Sequence, residues 1–222
     1  MNVVEKYPSK MFLNEVLFMI QTIGTAITLY VATAVDLLVI LLIFFARTNT
    51  KRQYRDIYIG QYLGSLTLIG ISLVLAYVLS FVPEQWMLGL LGLIPIYLGL
   101  KVAITGDDDE EQVERQLDQR GLSKLARTVT LITIASCGAD NIGLFVPYFV
   151  TLNIAELVVT LLVFVLLIFV LVFTAQKLSN IPGVGEIVER FSRWIMSIVY
   201  IGLGVFIVYE NQTIQTLISF LN

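Results

Sequence analysis

Residues 17–45 read LFMIQTIGTAITLYVATAVDLLVILLIFF, a long apolar run in which Asp36 is the single charged side chain. About 20 apolar residues in a helix cross the core of a bilayer, so this run is long enough to span a membrane. It is also too long for the apolar core of a signal peptide, and it shows no small-residue cleavage pattern. We therefore expect it to be retained as the first span of an integral membrane protein.

Further apolar runs follow, separated by charged or polar breaks. With the first run they predict spans near 17–45, 57–81, 86–105, 127–152, 155–176 and 194–210. The composition agrees, because 57% of the 222 residues are hydrophobic, 14% are charged, and the mean hydropathy is +0.85. Six spans use roughly 120 residues, which leaves no room for a soluble catalytic domain. We therefore expect an all-α polytopic membrane protein with six transmembrane helices and a single domain, residues 1–222.

The basic residues predict how the chain is oriented in the membrane. Of the 14 lysines and arginines, all but Lys6 and Lys10 lie in or beside three alternate breaks, at 47–56, 106–124 and 176–193. Cytoplasmic loops carry an excess of basic residues. The three breaks are therefore predicted to be cytoplasmic and both termini to lie outside, in a multi-pass protein of the plasma membrane.

Several residue types limit the functions that are open to the chain. Histidine is absent, the lone Cys137 cannot form an internal disulfide, and the net charge of −3 gives no basic face for nucleic acid. The acidic run at 107–118 could collect metal ions, but a solvated helix is the simpler interpretation. No nucleophile and base pair, phosphate loop or HExxH motif is present, so an enzyme is not expected.

The sequence contains a weak internal repeat. A shift of 104 places Asp36 over Asp140 and lays residues 30–45 over 134–149, and a shift of 103 lays IYLGLKVAI (96–104) over VYIGLGVFI (199–207). Two matches at nearly one offset suggest two three-helix repeats, at about 11–105 and 125–210, joined by a cytoplasmic loop at 106–124. Because three is odd, the second repeat would enter the membrane in the opposite sense, an arrangement common in secondary transporters. Chance similarity between apolar helices is the alternative.

Asp36 and Asp140 are the residues most indicative of function. Asp36 precedes Arg47 by roughly 16 Å of helix and Asp140 follows Arg127 by roughly 20 Å, which places both near the middle of the membrane. An ionised carboxylate there costs about 2.5–3.5 kcal/mol, so it needs a partner, a proton, a bound cation or water. A bound cation or protonation is our interpretation, and a protonated aspartate that only joins helices is the alternative.

Residues beside the aspartates extend this prediction to a metal site. Cys137 and Asn141 flank Asp140 on one helix, and Thr33 stands before Asp36 as Cys137 stands before Asp140. A thiolate favours soft divalent ions over magnesium or calcium. The predicted metal ligands are Asp36, Asp140, Cys137 and Asn141, although Cys137 could equally be a packing residue. Supporting polar residues are Thr33, Ser136 and Gln61.

Glycines and prolines in the same segments predict interrupted helices. Gly138, Gly143 and Pro147 are expected to break the helix beside Asp140 and to free carbonyl groups as further ligands. Pro95 is expected to kink the third span. The pair Gly60 and Gly64, and the glycines of the third and sixth spans, predict close helix packing.

Five segments resemble those of the CadD-type cadmium-resistance transporters. They are ATAVDLLVILLIFFAR, YIGQYLGS, LLGLIPIYLGLK, ITIASCGADNIGLFVPYF and FSRWIMSIVYIGLGVFIVYEN, which together extend over nearly the whole chain. The resemblance implies a six-helix exporter of the lysine-exporter-like superfamily, in a bacterial plasma membrane, that moves Cd²⁺ without an ATPase domain of its own. It does not assign the roles of individual residues.

Efflux of Cd²⁺, with other soft divalent cations open, is therefore the predicted function, by proton-coupled alternating access. Export of an organic cation and a membrane scaffold that transports nothing are the alternatives. The expected partners are a divalent metal cation, as substrate, and the lipid bilayer. No resident cofactor and no nucleic acid are expected, and a homodimer is left open.

Overall fold

The structure, a computed structural model, describes residues 7–81, 85–105, 124–181 and 183–216, and within them all regular structure is helical. The acidic run at 107–118 lies outside these residues. A 3₁₀ turn, Leu90–Gly92, joins the third helix to the fourth. The helices are α1 (Tyr7–Ala46), α2 (Lys51–Leu79), α3 (Gln85–Gly89), α4 (Leu93–Thr105), α5 (Leu125–Thr151), α6 (Ile154–Leu178) and α7 (Val184–Glu210).

Five stretches of the described helices are long and apolar enough to cross a membrane. They are Leu17–Ala46, Lys51–Leu79, Trp86–Ile104, Leu125–Thr151 and Ile154–Leu178. The sixth predicted span corresponds to Trp194–Tyr209, a shorter apolar part of α7. The prediction of an all-helical, multi-pass membrane protein is therefore confirmed, and the count of six spans stays a prediction.

Polar residues at the helix starts explain why the helices begin before the apolar runs. Thr50 accepts a hydrogen bond from the Gln53 amide at 3.3 Å, and Gln53 Oε1 accepts one from the Thr50 amide at 3.1 Å. This capping box satisfies amide groups that the first turn cannot pair, so α2 begins at Lys51 instead of at residue 57. An equivalent box between Asn153 and Glu156 starts α6.

The helices pack mainly across the two halves of the chain: α2 against α5, α1 against α6, and α4 against α7. Between α2 and α5, a Cβ added to Gly60 would lie 2.5 Å from the carbonyl oxygen of Ala126, and one added to Gly64 would lie 2.8 Å from Thr133 Cβ. The prediction that this glycine pair permits close packing is therefore confirmed.

The glycines of α4 and α7 differ among themselves. A Cβ on Gly92 would lie 2.6 Å from the Gly204 carbonyl, and one on Gly99 would lie 3.0 Å from the Ser197 carbonyl, so these positions require glycine. A Cβ on Gly202 would meet nothing within 4 Å. Gly202 does not form part of the close α4–α7 packing that the sequence predicted, because it faces open space.

The bundle has two ends of different character. We call one the basic end, since eight lysines and arginines near the helix ends lie there: Arg47, Lys51, Arg52, Arg55, Lys101, Lys124, Arg127 and Lys177. At this end Tyr58 of α2 donates to Gln176 Oε1 of α6 at 2.9 Å. At the opposite end, which we call the far end, Tyr148 of α5 donates to the Thr22 carbonyl of α1 at 3.5 Å.

Candidate functional site

Asp36 lies within the packed interior of the bundle, on α1, with 9% of its surface exposed. Thr33, one turn before it, and Leu37, directly after it, are buried as well. Thr33 Oγ1 donates to the Tyr30 carbonyl of its own helix at 3.0 Å, which holds the hydroxyl against α1. The carboxylate of Asp36 is therefore enclosed by the packing of the bundle.

Asp140 lies on α5 beside two buried residues, Cys137 and Asn141, and is itself partly buried. Asn141 Nδ2 donates to the Cys137 carbonyl at 2.7 Å. This bond fixes the amide of Asn141 along the helix and turns its Oδ1 atom away from that carbonyl. The Cys137 thiol, with 2% of the residue exposed, is enclosed by the apolar core.

The predicted ligands do not form one compact group. Within the part of the chain that the structure describes, no three side chains of His, Cys, Asp or Glu are placed so that they could hold one metal ion. Asp36 and Asp140 belong to α1 and α5, which contact each other less than either contacts its main partner. The assignment of Asp36, Cys137, Asp140 and Asn141 to one site stays a prediction.

Gln61 serves to join two helices. It is fully buried, its Nε2 donates to Ser65 Oγ at 3.0 Å, and its Oε1 accepts a hydrogen bond from Thr133 Oγ1 at 2.9 Å. The Oε1 atom of Gln61 therefore joins α2 to α5, while its Nε2 atom is bonded within α2. Ser136, the other supporting polar residue predicted on α5, is partly buried.

The expected break in α5 is not present. The helix is continuous from Leu125 to Thr151, across Gly138 and Gly143 and with Pro147 inside it. Pro147 removes only one hydrogen bond, that to the Gly143 carbonyl four residues earlier, and the remaining bonds hold the helix together. Gly143 instead permits close approach of α4, since a Cβ there would lie 2.9 Å from Leu98 Cδ1.

The third span is interrupted close to Pro95. Its α-helical structure gives way to the 3₁₀ turn Leu90–Gly92, and α4 begins at Leu93. The ring of Pro95 disfavours an α-helical bond to the carbonyl of Leu91, which lies in that turn. The predicted irregularity is therefore found one turn before the proline.

Two adjoining cavities lie between α1 and its neighbours, towards the far end. The larger, about 540 Å³, is lined by α1 and α7, and its polar lining consists of Gln21, Thr25 and Thr28 of α1. The smaller, about 80 Å³, shares Gln21, Thr25 and Phe206 with it and adds Glu156 of α6. No sequence motif marks Gln21, Thr25 or Glu156. A signal for Thr25 was nevertheless present in the sequence. Thr25 and Asp36 are eleven positions apart, which places them on one face of a helix.

A family model described as "Cadmium resistance transporter" matches residues 30–220, a region that contains Asp36, Cys137 and Asp140. No curated protein and no solved structure matches the chain. The match confirms the resemblance drawn from the sequence motifs.

Proposed function

The chain belongs to the cadmium resistance transporter family, and on that basis we propose that it is a secondary-active exporter of Cd²⁺ in the plasma membrane. The single observation that carries the proposal further is the burial of Asp36, the one charged side chain among the buried residues that the structure describes. Such a group is costly in a membrane and typically marks an ion or proton pathway. Both termini would lie outside, so the basic end faces the cytoplasm.

The proposed ligands are Asp36 and Asp140, with Cys137 and Asn141. A thiolate sulfur with carboxylate and amide oxygens suits a soft divalent ion. Because metal ions bind the deprotonated forms of carboxylates and thiols, protons compete with the metal at these groups. Release of Cd²⁺ outwards as the same groups take up protons would therefore couple export to the proton gradient.

The packing supports two inverted repeats of three spans. Under the shift of 104, α1 corresponds to α5 and α6 to α2, so the α1–α6 pair becomes the α5–α2 pair. The third principal pair consists of α4 and α7. The shift exchanges these two helices with each other, so this pair corresponds to itself. A twofold axis in the membrane plane would produce this set of pairs. We propose that Asp36 and Asp140 approach each other as the two repeats rock between inward-open and outward-open states.

Exchange of each aspartate for asparagine tests the proposal. We expect Asp36→Asn and Asp140→Asn to lower Cd²⁺ uptake into inside-out membrane vesicles at least about tenfold, since even partners of metal ligands contribute 10–100-fold to affinity. Asp56→Asn is the matched control, because Asp56 is a partly buried carboxylate at the basic end of α2. Undiminished flux in both aspartate variants, with the control also active, would remove the site assignment.

Cys137→Ser separates Cd²⁺ from an organic cation as substrate. The substitution replaces a soft sulfur by a hard oxygen of similar size, so it should weaken transport of Cd²⁺ and leave an organic cation unaffected. Competition between Cd²⁺ and a panel of amines and metals in the same vesicles measures this difference. Equal loss of transport for both kinds of substrate would argue that Cys137 acts by packing.

A further inference from the structure

The larger cavity contains polar side chains at a depth where a membrane protein normally presents apolar ones. Gln21 and Thr28 are exposed and Thr25 is partly exposed, and all three line the cavity. Gly202 forms part of the opposite wall and leaves space there, since a Cβ at this position would meet no atom within 4 Å. The cavity is therefore a cleft with oxygen-bearing groups on the α1 side.

The cavity leads along α1 towards Asp36. Thr25, Leu29 and Asp36 share one face of the helix, because positions four and eleven residues apart are nearly aligned at 100° per residue. Leu29 and Leu203 line the cavity and are almost completely buried. Asp36 lies about 10 Å beyond Leu29 along the helix axis. Leu29, the cavity-lining residue of α1 nearest to Asp36 in the chain, thus lies between the cavity and the carboxylate.

The smaller cavity adds a carboxylate near the far end. Glu156 lines it together with Thr25 and Thr151. Glu156 Oε2 accepts a hydrogen bond from the Asn153 amide at 2.9 Å, which fixes the carboxylate at the start of α6. Because the two cavities share Gln21 and Thr25, a cation in the larger one would have a negatively charged group beside it.

We propose that the two cavities together form an outward vestibule through which a hydrated divalent cation leaves the protein after release from Asp36. This inference rests on the proposed export function and adds a route to it. Hydroxyl and amide oxygens of Thr25, Thr28 and Gln21 replace part of the hydration shell, and Glu156 attracts the cation outwards. Leu29 forms the barrier between the vestibule and Asp36.

Cysteine labelling from outside the cell tests the vestibule. Thr28→Cys should react with a membrane-impermeant maleimide added to intact cells. Ile27→Cys is the matched control at the same depth, since Ile27 is 40% exposed but does not line the cavity, and it should stay at the background of the wild type. That background is low because native Cys137 is buried. Ile154→Cys, at the exposed start of α6, shows that the reagent reaches the far end.

Transport is measured on the same variants. Labelled Thr28→Cys should lose Cd²⁺ export, whereas labelled Ile154→Cys should keep it. Failure of Thr28→Cys to label while Ile154→Cys labels would overturn the vestibule, as would equal labelling of Thr28→Cys and Ile27→Cys or full export after labelling at position 28. Labelling requires no cadmium, so it distinguishes failure of the vestibule from failure of the Asp36 and Asp140 assignment.

Discussion

Residues 21–28 of α1 and residues 125–132 of α5 correspond under the internal shift of 104, yet their surroundings differ. On α1, Gln21, Gly24 and Thr28 are exposed. Their counterparts on α5 are Leu125, Thr128 and Ile132, which are 1%, 4% and 0% exposed. Two related segments are thus in two states, one beside an open cavity and the other closed by packing.

This difference suggests how the transporter changes state. In an inverted-repeat transporter, opening on one side is matched by closure of the equivalent interface on the other side. The exposed segment of α1 leads to the far end, and the packed segment of α5 leads from the basic end. Under the proposed orientation, with the basic end in the cytoplasm, this arrangement would be outward-open and inward-closed.

The largest effect on stability is expected from two glycine-to-alanine substitutions, one at the packed contact between α2 and α5 and one on the exposed segment of α1. Gly60→Ala forces a Cβ against the Ala126 carbonyl and Val129, where the backbone cannot yield, and should lower the free energy of unfolding by about 1–3 kcal/mol. Gly24→Ala meets open space and should be neutral or slightly stabilising, because alanine favours a helix over glycine. Thermal unfolding in detergent micelles measures both. Equal destabilisation by the two substitutions would contradict the comparison.

Much of the packing of α2 against α5 could be predicted from the sequence, because its determinants are local. Gly60 and Gly64 one turn apart indicate a close helix contact, and the shift of 104 places Asp36 over Asp140. The cavity beside α1 could not be predicted in this way. The cavity depends on how far α7 stands from α1, and that distance is set by the tertiary packing.

Glu156 illustrates the same limit at a single residue. Its position three residues after Asn153 is typical of a capping box, and the structure shows one there. Its place beside Thr25 follows from the packing of α6 against α1, two helices far apart in the chain. The local sequence pattern thus accounts for the helix cap, whereas the tertiary arrangement brings the Glu156 carboxylate to the cavity.

A smaller effect on stability is expected from two threonine-to-valine substitutions, one on α5 and one on α1. Thr133→Val keeps the shape of the side chain but leaves the buried Gln61 Oε1 without its donor, which should cost about 0.6–1.7 kcal/mol in a membrane protein. Thr28→Val removes a hydroxyl that donates only to the Gly24 carbonyl of its own helix, so stability should change by less than about 0.5 kcal/mol.

Unfolding midpoints of the two valine variants, compared with that of the wild type, measure this difference. A larger loss of stability in Thr28→Val than in Thr133→Val would mean that the α1 segment is as tightly packed as its counterpart. It would also remove the open cavity as the explanation for the exposed threonine.

The smallest effect on stability, but a clear effect on transport, is expected from Gly202→Leu. A Cβ at position 202 meets nothing within 4 Å and the residue lines the larger cavity, so the leucine has room to enter it without displacing the backbone. The unfolding midpoint should therefore stay near that of the wild type, while Cd²⁺ export falls severalfold because the vestibule is narrowed. Val205→Leu is the matched control, since Val205 lies on the same helix, is 54% exposed and does not line the cavity. Export at the wild-type rate from folded Gly202→Leu would mean that ions do not pass between α1 and α7, and that the open state of α1 serves another purpose.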